Sequence, residues 1–246
     1  MPSGCARPLR QPDRPAARLR PPGAADRPGA PHRGRQRVAR RLRPAARRLT
    51  GPGRADPDRG GHRPIRPAPR PADGAIVVGW IGTPRNTSYI RAIWPGLAAA
   101  ARRDPRIRYR FVGAEPFDAG ETPVEFRPWT LAGEIADIQG FDIGIMPLPD
   151  DAQARGKCGF KLIEYMACGL PAVASPVGAN VDVLRDGETG LLAEGDADWE
   201  AALVGLAGDA ERRRAMGAAG RARAVEHYSL AAMAPRFVAT VEAAAG

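Results

Sequence analysis

The run GKCGFKLIEYMACGLPAVASPVGANVDVLRDGETGLL, residues 156–192, concentrates the residue types that can do chemistry in this chain. A glycine-broken loop leads straight into an amphipathic helix, and that helix carries one carboxylate, Glu164, in its first turns. The start of a helix presents unpaired backbone N–H groups and the positive end of its dipole, so it holds phosphate well. A carboxylate one turn further in accepts two hydrogen bonds from a ribose diol. Lys157 and Lys161, the only lysines in the chain, are the nearest side chains able to neutralise a diphosphate, and the amides of Gly159 and Phe160 add backbone donors. Together these residues describe a nucleotide-diphosphate site.

Other chemistries lack their residues. The first strand is followed by GWIGTPRN rather than the G-x-G-x-x-G of a dinucleotide fold, and no G-x-x-x-x-G-K-[ST] string is present. Cys5, Cys158 and Cys168 have neither metal nor disulfide spacing, and His32, His62 and His227 are scattered. Small cysteines buried in a reduced compartment are the expectation, with no metal, no cofactor and no assignable catalytic residue.

The elements that must position this site alternate from residue 74 onward. AIVVGWIG (75–82) is a short apolar run, followed by a polar turn and SYIRAIWPGLAAAARR, whose apolar residues recur at helical spacing. RIRYRFVG (106–113), VEFRPW (124–129), FDIGIMPL (141–148), LPAVASPVG and GLLAEGD read as further strands, with LAGEIADI and FKLIEYMACG as helices. Helices alternating with buried apolar strands indicate an α/β domain, a Rossmann-like, doubly wound parallel sheet over residues 74–246. Ligands bind such sheets at the carboxyl ends of the strands, so Gly82, Gly113, Gly178 and the loop before Lys161 are expected to line one crevice.

Residues 1–73 have another composition. They hold 19 Arg and 5 Asp without Lys or Glu, a charge of +14, and 15 of the 26 prolines, so the overall +10 belongs to this segment while the remainder is net acidic. With no Phe, Tyr, Trp or Asn, it cannot bury enough apolar surface to offset ordering, and it is expected to be a disordered Arg/Pro-rich leader. It has no aromatic residues to stack bases and no nucleic-acid motif, so a nucleic-acid partner is not expected. Such a composition is what GC-rich DNA would give if translated in a wrong frame or from a misplaced start. It contains no secretory signal, and no window in the chain has the apolar length of a membrane span.

FKLIEYMACGLPAVASPVGANVDVLRDGETGLL, followed by AEGDADWEAALVGLAGDAERRRAMGAAGRARAVEHYS, resembles the donor-binding half of glycosyltransferase family 4, retaining enzymes of the GT-B fold. The E-x-M-A-C-G-x-P core, the SPVG turn and the DGETGLL strand stand in the right order with the right gaps, and GWIGTP, FDIGIMPL and RGKCGFK extend the likeness over about residues 75–245. The resemblance implies that Glu164 is the second glutamate of the family's Glu-x7-Glu motif, the one that binds the ribose hydroxyls. Gly156 stands where the first glutamate, a contact to the transferred sugar, would be. The loop after the first strand, Thr83 to Ser88, lacks the family's Arg and Lys pair, leaving the backbone of Gly82 and Thr83, the hydroxyls and Arg85 as candidate phosphate contacts. Trp129 lies where the family's base-binding loop runs, and it packs either on the base or in the core. Asp182 takes the place of a glutamate in the turn after Gly178, a turn expected to close the pocket.

The resemblance implies transfer of a sugar from a nucleotide-sugar donor to an unknown acceptor with retention, in cell-envelope polysaccharide synthesis. The acceptor is expected to be a glycan or a lipid-linked acceptor. The acceptor domain of a GT-B enzyme is missing from this reading of the chain, and SLAAMAPRFVATVEAA resembles the terminal helix that crosses back onto it. The alternative is a non-catalytic or vestigial nucleotide-sugar-binding domain. The expected location is cytoplasmic or peripheral at the inner membrane surface.

Overall fold

In the computed structural model the described residues are 65–67 and 74–245. The expectations for residues 1–64 and 68–73 lie outside them. Six strands, β1 (Ile76–Ile81), β2 (Ile107–Val112), β3 (Val124–Arg127), β4 (Ile143–Met146), β5 (Ala172–Ala174) and β6 (Gly190–Leu192), form one sheet in the order β3-β2-β1-β4-β5-β6. Every pairing is parallel, with Ile76 opposite Ile107, Tyr109 opposite Val124, Val78 opposite Ile143, Gly144 opposite Ala172 and Ala172 opposite Gly190. This is the doubly wound order, whose direction of winding reverses between β1 and β4.

Alternation along the strands divides the core. Val78, Trp80, Tyr109, Phe111 and Val173 are buried on one face under α1 (Thr87–Ala92), α2 (Trp94–Arg103) and α7 (Asp196–Gly208), whose Leu97, Trp199 and Leu203 meet them. Ile81, Val112, Met146 and Ala174 turn to the other face, where α3 (Glu134–Gln139), α5 (Phe160–Ala167), α6 (Asn180–Val183) and a π-helical turn (Ala224–Tyr228) supply Ile138, Leu162, Val183 and Ala224. Two helices complete the chain, α8 (Ala210–Arg223) and α9 (Leu230–Ala245), and a single turn, α4 (Ala152–Arg155), precedes α5.

One expected helix is two. Pro95 cannot donate an amide to the preceding turn, so α1 ends at Ala92, and Ile93, with φ −107 and ψ 7, redirects the chain into α2. Carboxylates start α4 and α8, as Asp151 accepts from the Ala154 amide at 2.7 Å and Asp209 from the Arg212 amide at 2.8 Å. The stretch 65–67 lies against this domain: Gln139 donates to the Arg66 carbonyl at 2.6 Å and Arg221 to the Ile65 carbonyl at 2.8 Å. No helix among the described residues is long and apolar enough to cross a membrane.

The placement of α5 matters most for the site. The Tyr165 hydroxyl donates to the Ile145 carbonyl at 3.3 Å and accepts from the Ile81 amide at 3.4 Å, tying the helix to β4 and β1 at the winding reversal. The ring lies on Gly144, where a Cβ would stand 2.3 Å from it. Burial pushes the Tyr165 phenol well above its ordinary value, so it stays a neutral hydroxyl.

Candidate functional site

A cleft of about 740 Å³ opens at the carboxyl ends of β1, β2 and β3. Its floor is backbone: Gly82 to Pro84 leave β1, and Gly113 and Ala114 leave β2. Gly113 has φ +74, and its amide donates to the Arg127 carbonyl at 2.8 Å while the Gly82 amide donates to the Val112 carbonyl at 3.0 Å. The loops are thereby held edge to edge, with the strand ends opening toward α5.

The N-terminus of α5 supplies one wall. Gly159 takes the left-handed conformation at φ +71, and no side chain caps the helix. Its first amides therefore keep their donor capacity toward the cleft side. Phe160, Lys161 and Glu164 all line the cleft, and Phe160 is exposed. Lys161 is half-buried with its ammonium 5.9 Å from the centre of the Trp80 ring. Burial, and after it the like charge of Lys157, pulls the Lys161 ammonium below the usual lysine value, while Glu164 acts in the other direction.

Glu164 is 7 % exposed. Burial, followed by the negative charge of Glu134, pushes its carboxyl up to about 7, and Lys161 opposes the shift. Glu134, the first residue of α3, lines the same cleft. The third wall comes from β3 and the segment after it. Arg127 lines the cleft and is held by Glu125 at 2.5 Å and Asp137 at 3.0 Å. Trp129 is 46 % exposed at the rim, so of its two expected positions it occupies the cleft and not the core.

Of the residues singled out in the sequence, Gly82, Thr83, Trp129, Phe160, Lys161 and Glu164 are brought together around the cleft. Lys157, Arg85, Gly159 and Gly178 lie outside its lining. Lys157 stands in the loop before α5 with its ammonium 5.4 Å from the centre of the Tyr89 ring. Arg85 is exposed in the 3₁₀ turn Pro84–Asn86. Gly159 and Gly178 contribute close approach: a Cβ on Gly178, at φ +55, would stand 2.7 Å from the Arg155 carbonyl, and one on Gly159 3.0 Å from Val183. They hold the turn after β5 against the loop leading into α5. Asp182 is exposed, and its carbonyl accepts from Arg223 at 2.6 Å.

Glu134 and Arg127 were missed in the sequence. LAGEIADI was read only for its helical spacing, although an acid that opens a helix just beyond a strand's carboxyl end was a usable signal. No group of three or more metal-ligating side chains exists among the described residues. The Asp-x-Asp spacing at Asp196 and Asp198 is spent on backbone, accepting from the Gly96 amide at 3.3 Å and the Glu194 amide at 3.1 Å. The site therefore offers backbone donors, one half-buried lysine and two carboxyl groups beside an exposed indole.

Residues 75–209 match the family model described as "Glycosyl transferases group 1". A D-inositol 3-phosphate glycosyltransferase of Stackebrandtia nassauensis is 28% identical over 174 residues, 59% of this chain and 37% of its own length. An alpha-maltose-1-phosphate synthase of Mycolicibacterium smegmatis is 42% identical over 84 residues, 31% of this chain and 22% of its own. The chain thus spans well under half the length of these relatives. Among solved structures, Anabaena HepE in complex with UDP and glucose superposes with a TM-score of 0.58 at 16% identity, covering 69% of this chain and 48% of that one. The C-terminal domain of the LpcC protein of Francisella tularensis, a group 1 family glycosyl transferase, gives 0.53 at 19% identity, covering 63% of this chain and 87% of that one. At these identities the structural likeness speaks for the fold alone, one Rossmann-like half of a GT-B architecture.

Proposed function

The chain belongs to the group 1 glycosyl transferases, and from that premise we propose that residues 74–246 bind the nucleotide-sugar donor for sugar transfer. The carrying observation is the pairing of a half-buried Lys161 with a buried Glu164 one turn later on α5, both in the cleft beyond β1, β2 and β3. In this reading the diphosphate meets the uncapped amides at the start of α5, the Lys161 ammonium and the backbone of Gly82 and Thr83. Lys157 and Arg85 add positive potential from just outside the cleft. The ribose donates to Glu164, and the base lies against Trp129. The helix dipole and the lysines stabilise charge growing on the leaving diphosphate, so no step requires a metal.

The finer assignment is to family 4 with retention of configuration, on an acceptor that is a glycan or a lipid-linked glycan. The acceptor side of the cleft would come from a second domain, and the work would proceed on the cytoplasmic side or peripherally at the inner membrane surface. A binding domain without transfer is a second reading, favoured by Gly156, which leaves the loop before α5 without a carboxylate. Calorimetric titration of the full chain with UDP, GDP and the corresponding nucleosides tests the proposal. Lys161→Ala is expected to weaken the diphosphates about tenfold and the nucleosides little, since only the former carry the charge that the ammonium meets. Equal losses for both would remove Lys161 from the diphosphate. Tight donor binding with no release of UDP or GDP from a sugar nucleotide would favour the second reading.

A further inference from the structure

Each of the two lysines in this chain sits over an aromatic ring. The Lys157 ammonium is 5.4 Å from the centre of the Tyr89 ring, and the Lys161 ammonium is 5.9 Å from that of Trp80. Both distances are those of a cation held by the negative face of a π-system. Among the described residues no carboxylate forms an ion pair with either ammonium, whereas Arg127, Arg155 and Arg185 are each paired with an acid. That difference matters to an anion. A carboxylate partner cancels the charge a diphosphate must meet, while a ring fixes the ammonium and leaves its charge available.

The segments carrying Lys157 and Tyr89 are themselves anchored. The Lys157 amide donates to the Ala154 carbonyl at 3.0 Å, Gly178 closely approaches the Arg155 backbone just before it, and Gly159 starts α5 just after it. Tyr89 stands on α1, which is fixed by its neighbours: the buried Thr87 hydroxyl accepts from the Glu115 amide at 2.9 Å, and Ile90 is buried in the core. One segment follows β1 and the other follows β4, so the contact spans the winding reversal of the sheet. A lysine free in solvent would lose rotamer freedom on meeting phosphate, and a ring that already holds it removes that cost in advance.

We propose that Tyr89 is a positioning residue for diphosphate binding: its ring holds the Lys157 ammonium, unpaired with any acid, beside the start of α5 for the diphosphate to meet. The inference rests on the reading of the cleft as the donor site. Lys161 stands over Trp80 in the same way, and the Trp80 ring packs against Gly82, whose backbone lines the cleft. Trp80 is a core residue, so its substitution would test the fold first. Tyr89 is half-buried and open to substitution.

Calorimetric titration of the full chain with UDP, GDP, uridine and guanosine tests this. Lys157→Ala should weaken the diphosphates about tenfold and Tyr89→Leu about fivefold, with the nucleosides changed less than about twofold by either. In the double variant Tyr89→Leu should add nothing to the loss from Lys157→Ala, because the ring acts only through the ammonium. Tyr89→Phe, which keeps the ring face, should bind the diphosphates within about twofold of wild type. Replacing the Tyr89 side chain by pentafluorophenylalanine, which keeps the ring's size and withdraws its negative face, should weaken them as Tyr89→Leu does, and it decides the matter should Tyr89→Leu not fold. Losses that add in the double variant, or that fall equally on the nucleosides, would give Tyr89 a purely structural role and overturn the proposal. Diphosphate binding indifferent to the fluorinated ring would overturn it too, leaving the donor reading in place. No binding of any of the four probes would remove the donor reading and the role of Tyr89 together.

Discussion

A Cβ on Gly113 would stand 2.2 Å from the carbonyl oxygen of Gly82. The loops leaving β2 and β1 can approach this closely only because Gly113 lacks a side chain and accepts φ +74. The floor of the cleft depends on that approach. Gly113→Ala is expected to destabilise the chain by about 2–3 kcal/mol, from left-handed strain and the backbone clash together. Urea denaturation reads the change. A substitution that leaves the midpoint unaltered would show that the loops separate freely.

Tyr165→Phe tests the attachment of α5. It removes a donor from the Ile145 carbonyl and an acceptor from the Ile81 amide without altering the packing on Gly144. A loss of about 1–3 kcal/mol is expected, because both backbone groups are left in the core. A neutral outcome would mean that water reaches the strand ends there.

The buried Glu164 carboxyl carries a pH signature in the protein alone. Its value is raised from 4.5 to about 7 in the folded chain, by burial and then by Glu134, so the folded state binds more protons between those values. Its contribution is fully present below about pH 4.5 and is lost as the pH rises through 7. Glu164→Gln should therefore flatten the stability profile, recovering on the order of 3 kcal/mol at pH 8 relative to pH 4.5. Identical profiles for the two proteins would place Glu164 in contact with solvent.

Trp129 is half exposed, so Trp129→Ala should change stability by less than about 0.5 kcal/mol. If the base stacks on the indole, the same substitution should cost about 1–2 kcal/mol of nucleoside affinity. Nucleoside binding that survives unchanged would move the base elsewhere in the cleft.

The strands were legible because each buried apolar run is bounded by glycine or proline, and the doubly wound parallel sheet followed from their alternation with helices. The break at Ile93 was concealed by apolar spacing that continues across Pro95, and periodicity alone does not register a missing amide. Glu164 and Lys161 were legible as a pair because both belong to one helix and one motif. Glu134 was not, since it lines the cleft from α3, and the convergence of separate helices leaves no local spacing to read. Gly178 was read as a cleft residue from its place after β5, yet its service is close packing against Arg155, a tertiary relation that strand position does not encode.

The central claim, that Glu164 holds the ribose of a bound nucleotide, is tested most directly by titrating the full chain and its Glu164→Ala variant with UDP and GDP. Loss of two charge-assisted hydrogen bonds should cost on the order of 2–4 kcal/mol, from about 30-fold to about 1,000-fold in affinity. Unchanged affinity in a folded Glu164→Ala variant would contradict the account.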